Sequence, residues 1–234
     1  MENFIAIAGN MGVGKSALTK LLSERLSWEP FYEAVGDNPY LADFYEDMGR
    51  WSFHSQMFFL ARKLRYYREI LDRPGSVIQD RTIYEDAEIF AENLHRQDCM
   101  AERDYGTYRE VYEAILPILP PPDLVVYLRA SVPTLKSRIA LRGRHFERDI
   151  STEYLEQLNG LYEEWAGHFT ICPLLIVPAD EMDFVKHSAH LEQIASWLAF
   201  KKFPELLKML PIRLRGEREV PTQQFELPGW DADL

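Results

Sequence analysis

The chain has 234 residues, of which 47% are hydrophobic, and a net charge of −11 at neutral pH. This length suffices for one large α/β domain with its own core. The acidic balance disfavours binding to nucleic acid or to a membrane surface, since both would require a basic face. Cys99 and Cys172 are too few and too far apart for a disulfide framework or a metal site. The start MENF lacks the basic and apolar segments of a secretory signal, so we expect a cytoplasmic protein.

Apolar strand-like runs alternate with helical patterns along the chain. The runs cover residues 4–8, 29–32, 76–79, 124–128 and 174–177. This alternation predicts a parallel sheet with both faces covered by helices. Long helical patterns over 51–71 and 105–119 predict a further helical layer. Behind a Ser151 cap, Tyr154 and later residues at helical spacing predict a core helix. The proline-rich segment 204–234 predicts a tail that is either disordered or wrapped around a partner.

The segment GNMGVGKS directly follows the first run and matches the phosphate-loop pattern GxxxxGK[ST]. Its glycines allow backbone angles that turn N–H groups toward phosphate oxygens. Lys15 can reach the β and γ phosphates, and the Ser16 hydroxyl can bind Mg²⁺. The sequence therefore predicts a nucleoside triphosphate site made of Gly9, Asn10, Met11, Gly12, Val13, Gly14, Lys15 and Ser16.

The pair Asp80-Arg81 follows the third run, at the sheet edge where ligands bind in open α/β folds. Asp80 can hold the water shell of a metal ion, and Arg81 can clamp an anion or an activated hydroxyl. The chain contains no NKxD guanine-binding tetrapeptide. These features disfavour a GTPase and favour another phosphate-loop enzyme.

Residues 136–148 read KSRIALRGRHFER and contain five cations against the single acid Glu147. Gly143 interrupts the helical pattern there. A mobile segment bearing Arg138, Arg142 and Arg144 can close over a triphosphate, exclude water and neutralise charge on the transferred phosphoryl group. We therefore predict an arginine-rich lid, with a solvated helix face as the alternative.

Glu33 ends the second run, at the same sheet edge as the phosphate loop if the strands are parallel. A kinase with an alcohol acceptor benefits from a carboxylate that takes the hydroxyl proton, whereas a phosphate acceptor needs no base. The local sequence alone leaves a plain surface glutamate equally open.

Several segments together resemble the deoxyribonucleoside kinases, the group that includes deoxyguanosine, deoxycytidine and bacterial deoxyadenosine kinases. They are GNMGVGKS, YEAVGDNPYL, FYEDMGRWSFHSQ, QDRTIYED and RIALRGRHFERD. The resemblance implies a P-loop nucleoside-kinase fold with a five-stranded parallel sheet, a kinase domain over 1–203 and a homodimer. It also implies that the γ-phosphoryl group of ATP is transferred, with Mg²⁺, to the 5′-hydroxyl of a deoxyribonucleoside. Its bacterial members imply that deoxyadenosine is favoured, with deoxycytidine or deoxyguanosine as secondary substrates.

The same resemblance assigns roles around the phosphoryl acceptor and donor. Glu33 resembles the general base, Arg81 the partner that holds the 5′ oxygen, and Asp80 the outer-shell magnesium ligand. The loop from Asp180 to Phe184 resembles the segment that lines the adenine of ATP. From the residues alone, Asp180 or Asp183 could equally be N-caps for the last helix.

On the nucleoside side, the resemblance makes Gln56 the amide that pairs with the base edge and Asp86 the acceptor for an exocyclic amino group. Lys63 lies two helical turns beyond Gln56, where several relatives have an arginine. Since Arg62 is adjacent, either of the two cations could reach the base. In this family a pair of residues binds the 3′-hydroxyl, and Tyr45 and Glu147 resemble that pair.

Two other functions remain open at this stage. A nucleoside monophosphate kinase of the thymidylate type shares the fold and the Asp-Arg pair, but it would leave Glu33 without a task. A non-catalytic nucleotide-binding subunit would not need Lys15, Ser16, Glu33, Asp80 and Arg81 together.

Overall fold

A computed structural model describes residues 2–33, 35–144 and 150–198. Within these ranges five strands form a parallel sheet in the order β2-β3-β1-β4-β5. The strands are β1 (Phe4–Gly9), β2 (Glu29–Phe31), β3 (Val77–Asp80), β4 (Leu124–Arg129) and β5 (Leu174–Pro178). The predicted α/β fold with a five-stranded parallel sheet is confirmed.

The helices follow the predicted pattern, with the first long helix extended to Met48 and the second shifted to Glu102–Ile115. They are α1 (Lys15–Leu26), α2 (Leu41–Glu46), α3 (Met48–Leu71), α4 (Ile83–Glu85), α5 (Glu92–Arg96), α6 (Glu102–Ile115), α7 (Val132–Arg142), α8 (Thr152–His168) and α9 (Ser188–Leu198). Short 3-10 turns cover Val35–Asp37 and Leu116–Ile118, and a π-helical segment, Asp86–Ala91, joins α4 to α5. Ser151 caps α8 by accepting from the Tyr154 N–H, as expected.

The sheet separates two hydrophobic cores. In β1, Phe4, Ala6 and Ala8 face one core, which α3, α6 and α8 cover, while Ile5 and Ile7 face the other, which α1, α7 and α9 cover. Successive side chains of a strand point to opposite faces. A strand that is apolar at every position, as β1 is, must therefore be covered on both sides, and this gives the three layers.

The strand order places β1 between β3 and β4, so the chain reverses its direction of winding at the carboxyl end of β1. Ligands bind in the crevice at such a switch point. The phosphate loop follows β1, and Asp80 ends β3 in register with Ile7. The expected donor and acceptor residues are thereby brought to one edge.

Some predictions fall on residues outside the described ranges. Glu147 lies there, as does the segment 204–234, so the proposed boundary at 203 stays a prediction. Among the described residues, no helix is long and apolar enough to cross a lipid bilayer.

Candidate active site

The phosphate loop turns sharply between β1 and α1, and glycine is required where it turns. Gly12 has φ of 80°, and a Cβ added there would lie 2.6 Å from Ile139 and 2.9 Å from the Leu135 carbonyl oxygen. Gly14 caps α1 with φ of 110°. The loop is thus held against α7, with the positive end of α1 directed toward the space where phosphates would bind.

Lys15 is buried beneath this loop. Its ammonium donates to the carbonyl oxygens of Gly9 at 2.7 Å and Asn10 at 3.1 Å. Burial, together with the nearby Arg81 cation, lowers the pKa of Lys15 to about 8. A phosphate anion placed beside this ammonium would favour its charged form.

Ser16 and Asp80 meet across the same pocket. The Ser16 hydroxyl donates to Asp80 Oδ2 at 2.5 Å, while Asp80 Oδ1 is buried without a hydrogen-bond partner. Burial raises the pKa of Asp80, although Lys15 opposes this. A hydroxyl oxygen beside an unsatisfied carboxylate oxygen suits a hard cation such as Mg²⁺, so this pair fits the expected metal site.

Arg81 is held in a backbone conformation that non-glycine residues rarely adopt, with φ of 70°. Its N–H donates to the Ile7 carbonyl oxygen at 2.9 Å, and its carbonyl oxygen accepts from the Lys63 ammonium at 2.7 Å. The guanidinium lies 2.9 Å from the carboxylate of Glu33 and 4.1 Å from the centroid of the Phe90 ring. Such strain persists only when the surroundings fix the residue, and it is concentrated at functional sites.

Glu33 is a carboxylate whose side chain is 13% exposed, and it remains ionised. Burial opposes its charge, but Arg81, Lys63, Lys15 and Arg144 outweigh burial and lower the pKa of Glu33. At neutral pH the group is therefore a proton acceptor that Arg81 orients. That combination is what a general base for an alcohol requires.

A cavity of about 510 Å³ connects these groups, within the range of ligand sites in proteins. The phosphate loop, Glu33 and Arg81 line it together with the predicted nucleoside residues Tyr45, Gln56 and Asp86. One end therefore carries the phosphate-binding chemistry and the other carries a buried amide and a buried carboxylate.

Asp86 lies in that second end, at the start of the π-helical segment. It is 2% exposed, its Oδ2 has no hydrogen-bond partner, and burial raises its pKa to about 7. Gln56 on α3 is 5% exposed and lines the same wall. The wider π turn also brings Phe90 onto the cavity. An unsatisfied buried acceptor beside an amide is suited to an amino-bearing base.

Lys63 has a different environment from the one expected. Its ammonium donates to the carbonyl oxygens of Asp80 and Arg81, and Lys63 is 3% exposed. The neighbouring Arg62 lies 3.7 Å from Asp37 and over the Phe58 ring. Neither cation is part of the cavity lining that the described residues form. The placement of Lys63 supports the Arg81 turn, and direct contact with the base stays a prediction.

Three residues outside the phosphate loop were predicted to bind the cofactor, namely Arg138, Asp180 and Phe184. Of these three, Arg138 lines the cavity. Its guanidinium donates to the carbonyl oxygens of Val13 and Ala179, both at 2.7 Å, so it ties the phosphate loop to the end of β5. The Asp180 carboxylate accepts from the Ser131 N–H at 2.9 Å. Phe184 packs against Gly14, where an added Cβ would lie 3.1 Å from the ring. These contacts hold the segment from Asp180 to Phe184 near the phosphate loop.

The cationic end of the cavity includes Arg142, the last residue of α7, and Arg144 just beyond it. Between them Gly143 ends the helix with φ of 68°, so the predicted interruption is confirmed. Both arginines face the region of the phosphate loop and Glu33. Closure of this segment as a lid stays a prediction.

Sequence reasoning missed part of the site. Tyr154, predicted as a core residue, lines the cavity, and so do Phe44, Phe59 and Phe90. It also passed over Glu85, a fully buried carboxylate behind the phosphate loop. Helical spacing marks Tyr154 as inward-facing but does not distinguish a core from a cavity wall. For Glu85 the signal was a Thr82-x-x-Glu85 capping box directly after Arg81.

The family model for deoxynucleoside kinase matches residues 5–203 of the chain. The chain belongs to the deoxynucleoside kinase family. It is similar to the deoxyadenosine/deoxycytidine kinase of Bacillus subtilis, with 39% identity over 200 residues, 85% of this chain and 92% of the relative. It is also similar to the deoxyguanosine kinase of the same organism, with 37% identity over 82% of this chain and 94% of the relative.

A solved structure supports the same assignment. The deoxyadenosine kinase of M. mycoides with bound dATP superimposes with a TM-score of 0.75 and 34% identity, covering 84% of this chain and 98% of that one. The deoxynucleoside kinase described here is therefore an ATP-dependent phosphotransferase acting on deoxynucleosides. The resemblance inferred from the motifs is confirmed.

Proposed function

We propose that Glu33 is the general base for transfer of the ATP γ-phosphoryl group to the 5′-hydroxyl, with deoxyadenosine as the favoured substrate. The observation that carries the proposal is the 2.9 Å pairing of Glu33 with Arg81 inside a cavity that also contains the phosphate loop. A phosphate acceptor is already ionised and needs no proton acceptor, so an ionised carboxylate in this cavity favours a hydroxyl acceptor.

In this mechanism the 5′-hydroxyl lies between Glu33 and the γ-phosphate. Glu33 accepts the hydroxyl proton as the oxygen attacks the γ-phosphorus, and the bond from the γ-phosphorus to the β–γ bridging oxygen breaks, so that ADP leaves. Arg81 keeps the carboxylate aligned and ionised. Lys15, Arg142 and Arg144 neutralise charge on the moving phosphoryl group. Ser16 and Asp80 would hold Mg²⁺, which neutralises charge on the triphosphate when bound.

The exclusion of thymine rests on donors and acceptors in the cavity, whereas the first place of deoxyadenosine rests on the resemblance to the bacterial enzymes. Gln56 offers an amide donor and an acceptor, and Asp86 offers an acceptor without a partner. Adenine and cytosine carry an amino group next to a ring nitrogen and satisfy both. The name of one relative, deoxyadenosine/deoxycytidine kinase, supports these two bases, and the name of the other, deoxyguanosine kinase, supports deoxyguanosine as a further secondary substrate.

The test is a panel of the four deoxynucleosides with ATP and Mg²⁺, measured as kcat/KM. We expect deoxyadenosine first and thymidine last, because thymine places a carbonyl oxygen against Asp86. Each unsatisfied buried group costs about 1 to 3 kcal/mol, or roughly 5- to 150-fold. Thymidine as the best substrate would refute the roles of Gln56 and Asp86. Turnover of deoxyadenosine monophosphate in place of deoxyadenosine would refute the hydroxyl acceptor.

The pH profile provides a separate test of Asp86. Because burial raises the pKa of Asp86 to about 7, the free enzyme carries it protonated at pH 6 and ionised at pH 8. An ionised acceptor binds an amino group about twice as strongly as a neutral one, so kcat/KM for deoxyadenosine should rise roughly three- to tenfold between these values. The variant Asp86→Asn should lack this rise. If kcat/KM of Asp86→Asn rose with the same midpoint pH, the rise would come from the titration of another group.

We also propose that the kinase is a cytoplasmic homodimer that binds no nucleic acid. The resemblance of the motif set supports the dimer, and the net charge of −11 supports the lack of nucleic-acid binding. Sedimentation of the full chain measures the assembly directly, and a monomeric mass at micromolar concentration would contradict it.

A further inference from the structure

Glu85 is a fully buried carboxylate at the end of α4, and both of its oxygens are engaged. Oε1 accepts from the Gly9 N–H at 2.9 Å and lies 2.8 Å from the Tyr162 hydroxyl. Oε2 accepts from the Thr82 N–H at 2.7 Å and from the Thr82 hydroxyl at 3.0 Å. A buried carboxylate is costly unless its lone pairs are satisfied, and these contacts satisfy both oxygens.

Through these contacts Glu85 joins two parts of the active site. Gly9 and Glu85 are 76 positions apart in the sequence. Gly9 is where β1 ends and the phosphate loop begins. Thr82 directly follows Arg81, so its N–H bond to Glu85 fixes the peptide group on the carboxyl side of the strained arginine. The same side chain therefore limits movement of the donor loop and of the acceptor arginine.

A third element enters through α8. The Tyr162 hydroxyl also lies 2.8 Å from the Gly9 carbonyl oxygen, and Lys15 donates to that same oxygen at 2.7 Å. Gly9 is thus held through its N–H by Glu85 and through its carbonyl by Lys15 and Tyr162. Both backbone polar groups of Gly9 are therefore paired within the protein.

We propose that Glu85 is a positioning residue that sets the distance between the phosphoryl donor on the phosphate loop and the acceptor hydroxyl held by Arg81. It touches neither substrate and acts through Gly9 and Thr82. The inference rests on the proposed role of Arg81, while its phosphate-loop half depends only on the contacts of Gly9.

The test is Glu85→Gln in the full-length enzyme. The glutamine has the same shape, but its amino end cannot accept a hydrogen bond, so either the Gly9 or the Thr82 N–H faces a donor. A misplacement of about 1 Å can cost about 10²-fold in rate, and we expect kcat to fall about 10- to 100-fold. The dissociation constant for deoxyadenosine alone should change less than threefold, because Gln56 and Asp86 are untouched.

The matched control is Glu92→Gln. Glu92 on α5 is also a carboxylate with two partners, Arg96 at 2.7 Å and the Tyr105 hydroxyl, but it lies outside the cavity lining. The substitution Glu92→Gln should lower the melting temperature, while kcat per active site stays within threefold of wild type. Equal kcat for Glu85→Gln and Glu92→Gln would overturn the proposal. Wild-type turnover in the same assay tests the kinase function independently.

A second variant keeps the inference testable if Glu85→Gln does not fold. Tyr162→Phe removes only the hydroxyl and leaves the Glu85 bonds to Gly9 and Thr82. We expect a smaller loss of kcat, about three- to tenfold, with an unchanged dissociation constant for deoxyadenosine. Suppose that Glu85→Gln is insoluble and Tyr162→Phe is fully active. The contacts among Glu85, Gly9 and Tyr162 would then not determine the rate, and the inference would be refuted.

Discussion

Replacing Glu33 by glutamine is expected to lower kcat by on the order of 10² to 10⁴ while the nucleoside still binds. The amide keeps the shape of the side chain and still offers an acceptor to Arg81, but it cannot take the proton of the 5′-hydroxyl. Steady-state kcat with deoxyadenosine and the dissociation constant of deoxyadenosine without ATP measure the two effects separately.

The control for this variant is Glu29→Gln, four residues earlier at the start of β2. Glu29 also pairs with an arginine, Arg73 at 3.7 Å, but it is half exposed and away from the cavity. It should leave kcat unchanged. In Glu33→Gln the loss of charge leaves Arg81 buried beside a neutral group, so the melting temperature of this variant should fall. Turnover of Glu33→Gln within about threefold of wild type would mean that another group accepts the proton.

The sheet was predictable because β1, β4 and β5 are buried at nearly every position and are therefore continuous apolar runs. The predicted run 124–128 and the observed strand Leu124–Arg129 differ by one residue, and the bounds of the other strands agree within one residue at each end. The long helix predicted at 51–71 begins earlier, at Met48, because Asp47 caps it by accepting from the Arg50 N–H. A cap of this kind is a local polar contact that hydrophobic periodicity does not detect.

Residues of the site were predictable where the chemistry is carried by consecutive residues. The phosphate loop and the pair Asp80-Arg81 are of this kind, and the structure brings both to the cavity. Glu33 and Gln56 needed the family resemblance, since either could be a surface residue by its local sequence. The structure places both on the cavity, although their roles stay proposals.

The remainder of the site depends on contacts between distant segments. Either Lys63 or Arg62 was expected to reach the base, and that stays a prediction. The sequence did not indicate that the Lys63 ammonium donates to the carbonyl oxygens of Asp80 and Arg81, where Arg81 adopts φ of 70°. The π turn that begins at Asp86 has no sequence signal of its own. Glu85 was passed over, and its contact with the Gly9 N–H joins residues that are 76 positions apart in the sequence.

Removing both Arg142 and Arg144 is expected to lower kcat by about 10²- to 10³-fold, with little change in deoxyadenosine affinity. Both side chains line the cavity at its phosphate end, so their charge acts on the transferred phosphoryl group rather than on the base. Arg144 is also one of the cations that offset the burial of Glu33 and lower its pKa. The acid limb of the kcat profile in Arg142→Ala/Arg144→Ala should therefore move to higher pH.

A control with the same change in net charge separates the local effect from a general one. Arg25→Ala/Lys136→Ala removes two cations, one paired with Glu192 and the other, on α7 itself, bonded to Thr152. Neither lines the cavity, so kcat should stay near wild type. If Arg142→Ala/Arg144→Ala instead lost nucleoside affinity and kcat by equal factors, the two arginines would be maintaining the shape of the cavity. A role in phosphoryl transfer would then be refuted, because charge that acts only in the transition state leaves ground-state binding of the nucleoside intact.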